Sequence, residues 1–209
     1  MEFTLKYRGN DLKASGNEAG NVREKFLLRQ CFHEQLKHVW ATHNVLSRVD
    51  RSRLPNPQPS SLDRWDLPRP LVEPSEVGLE VFMFKHKVRG LTFLPLVTFP
   101  MEAHCYLAIR FGRPARPGSI FFGKGDIDGR IKTVVDALRM PHQDTELPED
   151  ASGDEYNLCL LADDNLVTRL SITSYQLLTG YDRDSYVDLD IDVTIRAITP
   201  MLGTWALLY

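Results

Sequence analysis

Cysteine is nearly absent. The chain has three, Cys31, Cys105 and Cys159, and no two are close enough in sequence to form a CxxC pair. That argues against a disulfide framework and a thiolate zinc knuckle, leaving plain buried or half-buried thiols. Long apolar runs are also missing: no stretch approaches the roughly 20 residues that span a bilayer. The opening Met1-Glu2-Phe3-Thr4-Leu5-Lys6-Tyr7 carries no secretory apolar core. No membrane association is expected, and the cytoplasm is the expected compartment. A strong excess of one charge is absent too, since the net charge is −3, which argues against an indiscriminate nucleic-acid binder. What is present, 43% hydrophobic and 25% charged residues over 209 positions, suits one cored globular domain spanning 1–209.

The charge is unevenly placed. Residues 1–132 hold 21 Lys/Arg against 14 Asp/Glu, a net +7, and residues 133–209 hold 4 against 14, a net −10. Such a split reads either as a basic binding surface beside an acidic metal-holding part, or as one acidic loop and one acidic strand face skewing the count.

Period-2 alternation predicts strands over residues 2–8, 78–85, 90–99, 103–111, 166–177 and 187–197. A basic turn, Lys85–Gly90, joins the second and third as a hairpin, and Pro95 places the third at an edge or bulge. The acidic row Asp188, Asp190, Asp192 of the last strand reads as an outward face that discourages edge pairing. A helix is predicted to start at Asn21, with Glu24 completing a capping box. Its core face is read as Leu27, Leu28, Cys31, Phe32, Leu36, Val39 and Trp40. A second row on this helix, Lys25, Arg29, His33 and Lys37, reads as a solvated face or as a strip along a nucleic-acid backbone. Residues 47–74 contain Pro55, Pro57, Pro59, Pro68, Pro70 and Pro74 and read as a proline-rich insertion or loop. Residues 142–155 read as an acidic linker too poor in apolar residues to join the core.

The densest chemistry lies in Gly125-Asp126-Ile127-Asp128-Gly129-Arg130-Ile131-Lys132 and in Asp163-Asp164-Asn165. A second helix is predicted to begin near Ile127 or Asp128 and to bury Ile131, Val134, Val135 and Leu138. Two aspartates one residue apart at a loop-to-helix junction can aim at one hard divalent ion, and a third carboxylate from Asp164 would complete an oxygen-ligand set. Lys132 would supply positive charge beside a phosphate. The alternatives are a helix N-cap at Asp128 and a tight turn at Asp163-Asp164-Asn165. Asp136 reads as a structural partner of Lys132 four residues on.

Asp126-Ile127-Asp128-Gly129-Arg130-Ile131-Lys132, then Asp136-Ala137-Leu138, then Ala162-Asp163-Asp164-Asn165-Leu166-Val167, resembles the signature of the RusA-type Holliday-junction resolvases. The likeness covers about residues 101–176. It implies an α+β fold with a mixed β-sheet packed by two main helices, and a homodimer that nicks branched DNA with magnesium (manganese as the alternative ion). By position it assigns Asp126, Asp128 and Asp164 as metal ligands and catalytic residues, with Lys132 as the catalytic lysine. The basic loop before the first aspartate, with Arg113, Arg116, Lys124 and, beyond it, Arg130, is the expected nucleic-acid contact. Two departures stand out: Gly129 replaces the family's asparagine, and the link between Asp-Ala-Leu and Asp-Asp is longer by a dozen or so residues. The competing expectations are a catalytically inactive DNA-binding protein of the same fold and a nuclease for other branched DNA or RNA.

Overall fold

The computed structural model describes residues 1–10, 12, 19–56, 82–114, 127–178 and 186–198. Within them the order is β1 (Glu2–Asn10), α1 (Ala19–Thr42), β2 (His86–Val88), β3 (Leu91–Val97), β4 (Ala103–Arg113), α2 (Ile127–Leu138), β5 (Asn157–Leu161), β6 (Val167–Gln176) and β7 (Tyr186–Ala197). The class is α+β, and the strands form two mixed sheets where one was expected. The larger runs β1-β7-β4-β6 and the smaller β2-β3-β5. None of the described helices is long and apolar enough to cross a membrane.

Alternation fixes the two faces of the larger sheet. On one face, apolar residues line up across all four strands: Phe3, Val193, Leu107 and Leu170 in one row, Leu5, Ile191, Ile109 and Ile172 in the next. On the other face lies the acidic row of β7. That strand is interior, between β1 and β4, so its acids do not guard an edge. Asp188 meets Arg8 at 3.3 Å, Asp190 meets Lys6 at 3.6 Å and Arg110 at 3.4 Å, and Asp192 accepts from Thr4 Oγ1 at 2.7 Å. The neighbouring strands thus supply the cations.

In the smaller sheet the hairpin lies further along the chain than predicted. The sequence expected as its turn contains β2 itself, and the reversal is Arg89-Gly90, both at positive φ (46° and 78°). Such a two-residue turn matches the twist of the strands it joins. Gly90 adopts this conformation without strain, whereas Arg89 is held there by its N–H donating to Asp144 Oδ1 at 2.8 Å. Pro95 lies beyond the last residue paired with β2, so β3 is locally an edge where its missing N–H falls. Of the predicted strand 78–85, residues 82–85 are not strand, and 78–81 lie outside the described residues.

Helix α1 begins at Ala19, two residues before the predicted cap, and packs against β1, β5 and α2. Phe26, Leu28, Phe32, Leu36 and Trp40 are buried, but Leu27 is 54% exposed. The row Lys25, Arg29, His33 is buried, which corrects both readings of it. These side chains are bonded inside the protein. Arg29 donates to the Asp136 carbonyl at 2.8 Å and the Arg139 carbonyl at 3.2 Å, where the last turn of α2 leaves its carbonyls without helical partners. Lys25 pairs with Asp136 at 3.3 Å.

The acidic linker is tied down along its length. Arg139 holds Glu146 at 2.8 Å, Arg23 holds Asp150 at 2.9 Å, and Lys37 holds Asp154 at 3.1 Å. Leu147 is buried, so the linker contributes to the core after all. Some of the opposite charges of the two halves meet each other. At the start of the predicted insertion, 3-10 turns span Leu46–Arg48 and Arg51–Arg53, and Leu54 is buried. Residues 57–74 lie outside the described residues.

Candidate active site

Strand β5 is buried throughout and delivers the chain to Asp163. Two hydrogen bonds fix its exit: Ala162 N–H donates to the Val97 carbonyl at 2.9 Å, and His142 Nε2 donates to the Ala162 carbonyl at 2.9 Å. Asp163 then caps a 3-10 turn, Asp164–Leu166, accepting from Asn165 N–H at 2.8 Å. The tight-turn reading is therefore correct, and it leaves the Asp163 and Asp164 carboxyls within hydrogen-bond reach of each other.

The Asp163 carboxyl is pushed above the usual carboxylate range, first by burial and then by the neighbouring Asp164, with which it shares a hydrogen bond. The Asn165 N–H and His142, 3.8 Å from Asp163 Oδ2, pull the other way without cancelling the rise. Two carboxylates crowded at the end of a buried strand are stabilised by a proton or a cation between them. Their donor set, oxygens of hard ligands, suits magnesium.

Asp128 is exposed in the first turn of α2, and Lys132 lies one turn on. Lys132 reaches Asp136 at 3.8 Å, as the spacing predicts, and is 61% exposed. Arg130 is buried, which leaves its guanidinium little reach toward a backbone phosphate. Arg113 is half-buried at the end of β4. Asp126, Arg116 and Lys124 lie outside the described residues. Just past the C-terminal end of α2, Met140 N–H donates to the carbonyl of Leu161, the last residue of β5 before the Asp163–Asp164 turn, at 2.9 Å. Asp128 stands ~15 Å back along the axis at ~1.5 Å per residue. No hydrogen bond or ion pair among the described residues joins Asp128 to Asp163 or Asp164.

Elsewhere among the described residues, His33, Glu34 and Asp154 bring three candidate metal-ligand atoms within 4.8 Å of one another. Neither the histidine spacing nor the linker composition pointed to this cluster, because Asp154 arrives from 121 residues away. Its hydrogen bonds leave it poorly set for a metal. His33 Nδ1 accepts from the Leu158 N–H at 2.9 Å, so the neutral ring carries its proton on Nε2, which faces Asp154 at 3.1 Å. Lys37 already stands between the carboxylates, 2.7 Å from Glu34 and 3.1 Å from Asp154.

No family model, no curated protein and no solved structure matches the chain.

Proposed function

We propose that the protein is a magnesium-dependent endonuclease acting on branched DNA, the four-way junction first, with Asp126, Asp128 and Asp164 as the metal-binding carboxylates and Lys132 as the lysine beside the phosphate. The observation that carries this reading is the Asp163–Asp164 pair: two carboxylates held against each other at the rim of a buried strand, with the Asp163 carboxyl raised by burial and by its neighbour. The motif resemblance to the RusA-type resolvases supplies the substrate class. When bound, the ion would activate a water and stabilise the leaving oxygen. The chain's own part is to position Asp163 and Asp164 through the Ala162 and Asn165 hydrogen bonds. It also presents the exposed Lys132 ammonium, steadied by Asp136, to the charge that grows on the phosphate.

One observation favours the second reading, a DNA-binding protein of the same fold without catalysis. It is that the end of β5, which leads into the turn, bonds to Met140 just past the C-terminal end of α2, away from Asp128. Labelled four-way junction, flap and duplex DNA, incubated with protein in magnesium or in EDTA, separate the two. The nuclease reading expects magnesium-dependent nicking of the junction, abolished by Asp128→Asn and by Asp164→Asn and lowered on the order of 100-fold by Lys132→Ala. Junction binding without cutting in magnesium or manganese would support the second reading. Absence of both refutes the assignment to DNA.

A further inference from the structure

We propose that the polar face of the larger sheet carries a platform for single-stranded nucleic acid, built from His104, Tyr106 and Arg169, with a cleft beside it that takes one base at a time. The platform uses none of the metal-site residues, so it does not rest on the nuclease reading.

Alternation along β4 places His104, Tyr106, Ala108 and Arg110 on the face opposite the buried Leu107 and Ile109. Strand β4 is interior, between β7 and β6. Its register sets Tyr106 between Thr194 and Arg169, and Ala108 between Asp192 and Ser171. The flat groups form a short ladder. The His104 and Tyr106 rings are 5.2 Å apart, centroid to centroid, and tilted by 31°. The Arg169 guanidinium carbon lies 5.8 Å from the Tyr106 centroid. Such planes on a sheet face are surfaces on which successive bases stack, whatever their identity. Ala108 is the small residue of this face, and beside Tyr106 it leaves a cleft of about 220 Å³. Tyr106, Ala108, Arg169, Ser171, Asp192 and Thr194 line it. That volume is below the roughly 300–1,000 Å³ of sites enclosing a whole small molecule, and it suits one planar ring.

Charge divides the cleft into two ends. Arg169 is exposed, and among the described residues no carboxylate pairs with it, so its charge is open to a phosphate. Asp192, across Ala108, accepts from Thr4 Oγ1 at 2.7 Å and lies 3.6 Å from Arg110, which offsets its charge. A carboxylate lining the cleft accepts from the exocyclic amino group of cytosine, whereas thymine has no such group. The two residues stand on strands two spacings apart, ~10 Å in backbone terms, so base edge and phosphate are held at opposite ends. A duplex keeps its base faces inside the stack and cannot use the ladder. An unpaired strand can.

Fluorescence anisotropy tests this with labelled oligonucleotides of about twelve nucleotides, titrated with the full chain in EDTA. The wild type is expected to bind oligodeoxycytidine, and to bind it more weakly once it is annealed into a duplex. Tyr106→Ala should weaken single-strand binding about 5- to 150-fold, and Tyr106→Phe should restore it. Arg169→Ala should weaken binding and lower the slope of log affinity against log salt by about 0.7, the equivalent of one phosphate contact. Oligodeoxythymidine should bind less well than oligodeoxycytidine, and Asp192→Asn should lose that preference. Oligocytidine RNA is the second arm: Tyr106-dependent binding of either strand supports the proposal, and the tighter one names the source. Circular dichroism and melting temperature verify that Tyr106→Ala folds; if it does not, the salt slope of Arg169→Ala decides. The proposal is overturned by a wild type that binds no single strand, by a duplex bound as tightly, or by Tyr106→Ala binding like the wild type. Any of these would leave magnesium-dependent nicking untouched, since no magnesium is present.

Discussion

Replacing Asp136 with alanine should be among the most damaging single changes outside the apolar core. Its carboxylate is buried beside α1, 3.3 Å from Lys25, 3.7 Å from Arg139 and 3.8 Å from Lys132. Lys132 is mostly solvated and contributes little. Lys25 and Arg139 are not: their side chains are 11% and 16% exposed, and the fully enclosed Arg29 stands beside them, its own pKa lowered chiefly by burial. Removing the anion leaves buried cations facing one another, a loss of about 3–5 kcal/mol. At ~2–4 °C per kcal/mol for a chain of this size, the melting temperature should fall by about 6–20 °C. Lys25→Met should be milder, because Asp136 keeps Arg139. The double variant should lose about 1–3 kcal/mol less than the sum of the two singles. Urea titrations of the four proteins measure this directly. A loss below ~1 kcal/mol for Asp136→Ala, or additive singles, would refute the claim that this network is held by its buried anion.

Three further outcomes follow from the same contacts. Asp154 is held below the usual carboxylate range by its hydrogen bonds to His33 and then to Lys37. A depressed carboxyl stabilises the fold above its unfolded pKa and loses that contribution as the pH falls through its folded one, so Asp154→Asn should flatten the acid limb of a stability–pH curve and change the neutral-to-alkaline limb little. Burial pushes the Cys105 and Cys159 thiols up to about 12, so a thiol-reactive dye should label only the half-buried Cys31 until the protein is unfolded. Leu147→Ala should destabilise by about 2–4 kcal/mol whereas Glu149→Ala should stay within ~0.5 kcal/mol; equal effects in chemical denaturation would mean that the linker is not anchored as described.

The sequence was legible where one period dominated. Helix α2 and strands β1, β4, β6 and β7 fall close to their predicted limits because their apolar residues repeat cleanly. Helix α1 was legible as a helix but not in its contacts. A pattern scan assigns Lys25, Arg29 and His33 to solvent, and only the fold brings the α2 carbonyls, Asp136 and Asp154 to them. The role of β7 was hidden for a similar reason: alternation identifies its faces but not its neighbours, and Lys6, Arg8 and Arg110 come from strands far away in the chain. Hairpin register slipped because Arg89, unlike glycine or asparagine, gives no turn signal at positive φ; Asp144 holds it there. At the candidate site, the turn at Asp163-Asp164-Asn165 was legible from its residue types, while the burial that raises Asp163 comes from the fold around it, which no local motif contains.

The place of β7 between β1 and β4 also governs when the larger sheet can exist. Its nine pairs with β1 join Glu2 to Thr194 and Asn10 to Tyr186, so β1 waits for β7. During synthesis β4 can meet β6, but β1 has no neighbour in the sheet until residues 186–197 leave the ribosome. Strand β4 therefore lacks its β7 neighbour until that segment has been made. Closing the sheet between segments so far apart in sequence should make folding slow. It also makes the β7 segment a natural fragment for complementation: a chain lacking it would be left with β1 unpaired beside the β4–β6 pair, and a peptide carrying 186–197 would supply the strand that joins them.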